Sequence, residues 1–246
     1  MAQTPTTHEP RLRGIDGCRA GWLVLSRSDD GSSGPWPRVE AELLPDAEAL
    51  AAGAAEAITA IDIPIGLSED LPRRCDREAR QHLGPRRNSV FPAPLRPMLV
   101  AADHGEACRI GRALAGRGLS VQSWNILPKV RAVDGLLRRQ PCLVPRFREV
   151  HPELAFLDWN GGCPLPHGKR SREGRLERLA LCEVLFPGAW ASIRRGFRRA
   201  EVADDDILDA LALLRSAARL GRGEAVVLPR GKPERDRFGL PMQISY

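Results

Sequence analysis

The run Ile58–Ile65, I-T-A-I-D-I-P-I, constrains this chain more than any other segment. It is short, rich in β-branched residues and apolar at both alternating positions, which reads as a strand rather than a core helix. A strand apolar on both faces belongs in a sheet covered on both sides, the arrangement of parallel α/β folds. Asp62 sits inside it. A lone carboxylate in apolar surroundings is costly unless it is paired or holds a cation. The fold must therefore bring a partner to Asp62.

Strand-like runs come first. Arg11–Asp16 leads into a turn cluster, Gly17–Gly21, followed by a second strand at Trp22–Ser26 and a third at Arg38–Leu44. This opening predicts a three-stranded meander. Asp46–Glu56 is Ala-rich, with Asp46 placed as an N-cap, and predicts a helix. Helical patterns then cover Leu71–Leu83, Ala101–Leu114, Gln122–Asp134, Arg172–Leu185, Ala189–Phe197 and Asp204–Leu220. Val144–Glu149 predicts a strand that runs into His151-Pro152-Glu153, and Gly221–Tyr246 a strand-like tail. Strands followed by alternating helices and strands predict an α/β fold with a mixed sheet. Residues 11–246 form one expected domain, with 64–145 as a large insertion between two core strands. Met1–Pro10 has no basic region followed by an apolar core, so it reads as a disordered leader and not as a secretory signal.

Several function classes fall away. No stretch approaches the roughly 18 apolar residues of a membrane span, so a membrane partner is not expected. Among the six cysteines there is no C-x-x-C pair. That predicts ordinary reduced thiols and a cytoplasmic setting. No G-x-x-x-x-G-K-[ST] or G-x-S-x-G is present, which removes the P-loop and serine-hydrolase options. The net charge is +6, and 34 of the 37 basic residues are arginine. Arginine forms flat bidentate contacts to phosphate, so a nucleic-acid partner, DNA or RNA, is compatible.

The acids mark the chemistry. Asp16 ends the first strand, Asp62 lies in the apolar strand, and Asp206 and Asp209 share a face at the start of the last strong helix. Glu149 ends a later strand and is a further candidate. Brought together, these carboxylates repel one another until divalent cations bind. Hard oxygen ligands select Mg²⁺ or Mn²⁺, and two such ions about 4 Å apart suit in-line phosphodiester hydrolysis. The expected ligands are Asp16, Asp62, Asp206 and Asp209, with two ions.

The order strand, strand, closing helix, with an acid on each, resembles the RNase H-like fold. The segment Asp206–Ala212, D-I-L-D-A-L-A, looks like the corresponding helix of RuvC-type Holliday-junction resolvases. More specifically, the chain resembles domain-of-unknown-function family 429, predicted to be RNase H-like nucleases. The matching segments are G-I-D-G-C-R-A-G-W (14–22), D-I-P-I-G-L (62–67), R-C-D-R-E-A-R (74–80), S-V-F-P-A-P (89–94), E-V-H-P-E (149–153) and D-D-I-L-D-A-L-A (205–212). The resemblance covers nearly the whole chain, about 11–246. The resemblance implies a metal-dependent nuclease, and junction cleavage of the resolvase kind implies a homodimer.

Arg19, Lys169, Arg175 and His151 are the candidate substrate-binding groups. Arg19 follows Asp16 by three residues, and Lys169 and Arg175 belong to a basic run with Arg170 and Arg172. His151 lies two residues after Glu149, so an uninterrupted strand would point both the same way. In the loop Ser89–Pro94, Phe91 is expected to plug the core, with base stacking as the other reading. Two other functions fit the same residues: a non-catalytic nucleic-acid or protein-binding module, and a small-molecule phosphohydrolase or phosphotransferase.

Overall fold

The computed structural model describes residues 10–32 and 34–246, so all but the last residue of the expected leader lies outside the described residues. β1 (Arg11–Cys18), β2 (Gly21–Ser28) and β3 (Glu40–Leu44) form an antiparallel meander. β4 (Ala57–Ile61) joins parallel to β1, and β5 (Phe147–Glu149) parallel to β4. The sheet order is β3-β2-β1-β4-β5. The fold is thus mixed α/β with a five-stranded mixed sheet. Residues 62–146 connect the adjacent strands β4 and β5.

Seven helices are formed by the described residues: α1 (Arg74–Leu83), α2 (His104–Ala115), α3 (Val121–Arg139), α4 (Pro152–Trp159), α5 (Arg172–Leu185), α6 (Ala189–Gly196) and α7 (Asp204–Gly221). Side chains alternate across β1, which gives each face of the sheet its own core. Leu12 and Cys18 join Phe156, Phe186, Ile193, Leu211 and Leu214 of the helices on one face. Ile15 joins Trp22, Ile61, Val130, Val133 and Leu137 on the other, where α3 packs. Each fully buried leucine of these cores contributes about 1.5–3 kcal/mol.

Two sequence expectations differ from the structure. Asp46–Glu56 forms a single 3₁₀ turn at Ala49–Ala51 instead of a helix. Glu48, not Asp46, is the N-cap residue; the Asp46 carboxylate still accepts the Ala49 amide at 2.9 Å, and Gly53 takes a left-handed φ of 67° and turns the chain toward β4. Conversely, Pro152–Trp159 is a helix that the pattern did not announce. His151 caps it through Nδ1, which accepts the Glu153 amide at 3.2 Å, and Pro152 takes the first turn, where no amide is needed.

Candidate active site

Asp16 and Gly14 lie on one face of β1, and that face carries α7. Gly14 is required there: a Cβ would overlap the Leu214 amide nitrogen and the Ala210 carbonyl oxygen. With no side chain at Gly14, the α7 backbone lies directly on the strand. Its first turns, with Asp206 and Asp209, then fall beside Asp16. On the neighbouring strand Ile15 pairs with Ile61, and the Asp62 amide donates to the Ile15 carbonyl at 3.1 Å. Asp16 and Asp62 therefore stand side by side at the carboxyl ends of adjacent parallel strands. In open α/β sheets this is the end at which ligands bind.

The structure thus gathers four of the predicted acids. Asp16 is buried, and burial, followed by the charges of Asp209, Asp62 and Asp206, raises its carboxyl well above the usual range. Asp62 is raised by burial and by Asp209, against the opposing effects of His151 and Lys169. Asp206 is raised by burial and by Asp205 and Asp209, although it accepts the Ala203 amide at 2.7 Å. Neither Asp16 nor Asp62 is held by a hydrogen bond among the described residues. Free carboxylates facing one another in this way are available to an added cation.

Lys169 enters the same cluster. Its ammonium donates to Asp209 at 2.6 Å and lies 3.8 Å from Asp205. The Asp209 charge, with those of Asp16 and Asp62, raises its pKa against the effect of burial. The lysine and the Ala203 amide hold Asp209 and Asp206 in their present rotamers. Among the described residues, no three His, Cys, Asp or Glu side chains converge closely enough to form a ready-made ion cage.

Beyond Lys169 the surface is basic. A cleft of about 390 Å³ is lined by Lys169, Arg170, Arg175 and Arg199, with Asp204 and Asp205 at its wall. Arg175 lies 3.8 Å from Asp204, which also pairs with Arg194 at 3.2 Å and with Arg199 at 3.3 Å. Arg199 was not among the sequence candidates. It is 30 residues from Lys169, and no local pattern joins the two. Arg19 is exposed on the turn after Asp16.

Glu149 is not brought to the cluster. It pairs with Ile61 on β5, which directs it to the face opposite Ala60. There both oxygens accept from Arg73 at 2.7 Å, and one also accepts the Ile65 amide at 2.7 Å. Arg73 is buried and bonds Asp76 as well, so this is an internal ionic knot behind the Asp62 loop. Burial still pushes Glu149 up to about 7. His151 parts from Glu149 because the strand ends between them. As the cap of α4 it lies close enough to Asp62 to stabilise that charge, while its Nε2 bonds the Ser89 carbonyl at 3.2 Å. That bond ties down the Ser89–Pro94 loop. Phe91 is not a core plug: it is 42% exposed, and the neighbouring Val90 is the buried residue.

All six cysteines are free, with Cys142 and Cys163 exposed. No helix among the described residues is long and apolar enough to cross a membrane. Residues 14–234 match the model of a family described as a protein of unknown function, DUF429. No curated protein and no solved structure matches the chain.

Proposed function

The chain belongs to the DUF429 family, and we propose that it is a divalent-metal-dependent nuclease with an RNase H-like fold. The observation that carries this reading is the pair Asp16 and Asp62. They are two carboxylates on adjacent strand ends, without a hydrogen bond among the described residues, both raised by burial and by Asp209 on α7, with Asp62 adding to the rise at Asp16. The donor set is all hard oxygen, as Mg²⁺ or Mn²⁺ requires. Four carboxylates against Lys169 and the neighbouring Lys129 leave negative charge that a divalent cation would neutralise, so the chemistry of the donor set fits such a group, and the acids would draw together around it. Asp16, Asp62 and Asp209 would hold the ions, with Asp206 completing the set. When bound, the metal supplies charge neutralisation at the phosphoryl oxygens and acidifies water.

The chain's own residues supply the rest. Arg170, Arg175 and Arg199 bind the nucleic-acid backbone along the cleft, fixing the strand without reading its sequence. Lys169 places a fixed positive charge between that cleft and the acids, where phosphoryl charge grows during in-line attack. Water attacks phosphorus, the bond from phosphorus to the bridging oxygen breaks, and that oxygen leaves as a hydroxyl after taking up a proton. His151, held between the Ser89 carbonyl and the Glu153 amide, fixes the Ser89–Pro94 loop against the start of α4. Exposed Phe91, on the loop tied to His151, offers a face to an unpaired base.

The test is cleavage of labelled single- and double-stranded DNA and RNA in Mg²⁺ or Mn²⁺. Cleavage by the wild type that is lost in Asp16→Asn is the expected result. A second reading, a non-catalytic nucleic-acid-binding module, is favoured by the Lys169–Asp209 bond, which already satisfies one acid internally. Binding without cleavage in either metal would select it.

A further inference from the structure

A second, larger cleft lies away from the carboxylates. It has a volume of about 790 Å³, in the size range of small-molecule sites. Its walls are the last turn of α3, the 141–145 segment leading into β5, and residues 235–243 of the tail. It therefore opens at the amino end of β5, whereas Asp16 and Asp62 stand at the carboxyl ends of their strands. Arg138, Arg139, Arg148 and Arg235 line it, and no Asp or Glu does among the described residues.

The four arginines are not equivalent. Arg139 pairs with Glu48 and Arg138 with Asp134, and both offset the negative end of the α3 dipole. Arg148 and Arg235 have no carboxylate partner among the described residues. Arg148 is half-buried and makes only long contacts to the Val144 and Phe147 carbonyls, at 3.3 and 3.4 Å. Burial without an acid lowers its pKa. Arg235 donates to the Gly239 carbonyl at 2.6 Å and otherwise faces outward. A desolvated guanidinium with no counter-ion is costly, and an anion between it and Arg235 removes that cost. The aromatic of this cleft, Phe238, already has the guanidinium groups of Arg138 and Arg96 at 3.7 and 4.6 Å from its ring centre. Its ring is thus committed to cations rather than to stacking a ligand. The apolar floor of Leu137, Pro141 and Val144 accepts an uncharged body.

We propose that this cleft is a second site, which binds a phosphorylated ligand through Arg148 and Arg235. It stands independently of the nuclease reading, since none of its residues belongs to the carboxylate cluster. The phosphate has two sources, a small phosphorylated molecule or the backbone of a nucleic-acid strand. The experiment is calorimetric titration of inorganic pyrophosphate, and separately of a short single-stranded oligonucleotide, into the full chain in EDTA. Wild type, Arg148→Met, Arg235→Gln and Asp16→Asn are compared. Arg235 is exposed, so its variant keeps the test valid if Arg148→Met fails to fold. The expected result is binding that weakens roughly tenfold in each arginine variant, the effect of one charge-assisted hydrogen bond, and is unchanged in Asp16→Asn. Pyrophosphate binding that Arg235→Gln weakens assigns a small ligand; oligonucleotide binding alone, weakened by Arg235→Gln, assigns a backbone phosphate. No binding of either probe, or binding that Arg235→Gln leaves intact, overturns the proposal.

Discussion

Leu214 lies against Gly14 with no room between them: a Cβ on Gly14 would stand 2.8 Å from the Leu214 Cα and overlap its amide nitrogen. The obstacle is backbone, which cannot rotate away as a side chain can. Gly14→Ala should therefore push α7 off β1, at a cost of about 3 kcal/mol or more in urea unfolding. It should also weaken any metal response, because Asp209 moves with the helix. Gly196, at the end of α6, has open space around it, so Gly196→Ala should change stability by no more than about 1 kcal/mol.

The raised carboxyls make the cluster a liability for the metal-free fold. An acid whose folded pKa is raised binds protons more tightly in the folded state than in the unfolded one. Stability then falls as pH rises from the unfolded value of about 3.9 toward the raised one. Asp16→Asn removes that penalty. In EDTA it should be more stable than wild type at neutral pH, and the difference should vanish near pH 3. A denaturant series across that range checks the sign.

Lys169 partly offsets the same charge. Its ammonium retains solvent contact, so replacing it should cost only about 1 kcal/mol in EDTA. Lys169→Met frees Asp209 from its 2.6 Å bond, and added Mg²⁺ should restore most of the lost thermal stability. A variant no more stabilised by Mg²⁺ than wild type would show that the lysine and the ion do not share a site.

Glu153 behaves in the opposite sense. Burial alone would raise its carboxyl, but Arg178, bonded at 2.7 Å, and Arg86, at 3.0 Å, outweigh burial and lower it. Its stabilisation is complete above the unfolded glutamate value of about 4.3 and is lost as pH falls through the lower native value. Glu153→Gln leaves the fully buried Arg178 without its acid and should cost about 3 kcal/mol at pH 7. The gap between variant and wild type should close on acidification.

What the sequence made legible was local. α5 runs Arg172–Leu185 as its pattern predicts, because Ser171 caps it and its apolar positions keep a helical period. α7 ends one residue beyond the predicted Leu220, its apolar positions keeping a helical period to the end. Asp16, Asp62, Asp206 and Asp209 were visible because carboxylates at strand ends and a helix start need an explanation. Partners distant in sequence were not legible. Glu149 looked like a fifth acid of the cluster, but its pairing with Ile61 turns it to the other face, where Arg73, 76 residues away, holds it. The Lys169–Asp209 bond, across 40 residues, and the Arg148–Arg235 cleft have no local signature at all. His151-Pro152 did carry a helix-start signal, the N-terminal proline, which the strand pattern before it obscured.

The most direct test of the account is titration of Mn²⁺ and Mg²⁺ into the purified chain, followed by thermal stability, with Asp62→Asn alongside. Binding only to the folded state raises stability by mass action. The account predicts a dose-dependent rise in the wild type that Asp62→Asn abolishes. No rise at millimolar metal, or an equal rise in Asp62→Asn, would contradict a metal centre at Asp16 and Asp62.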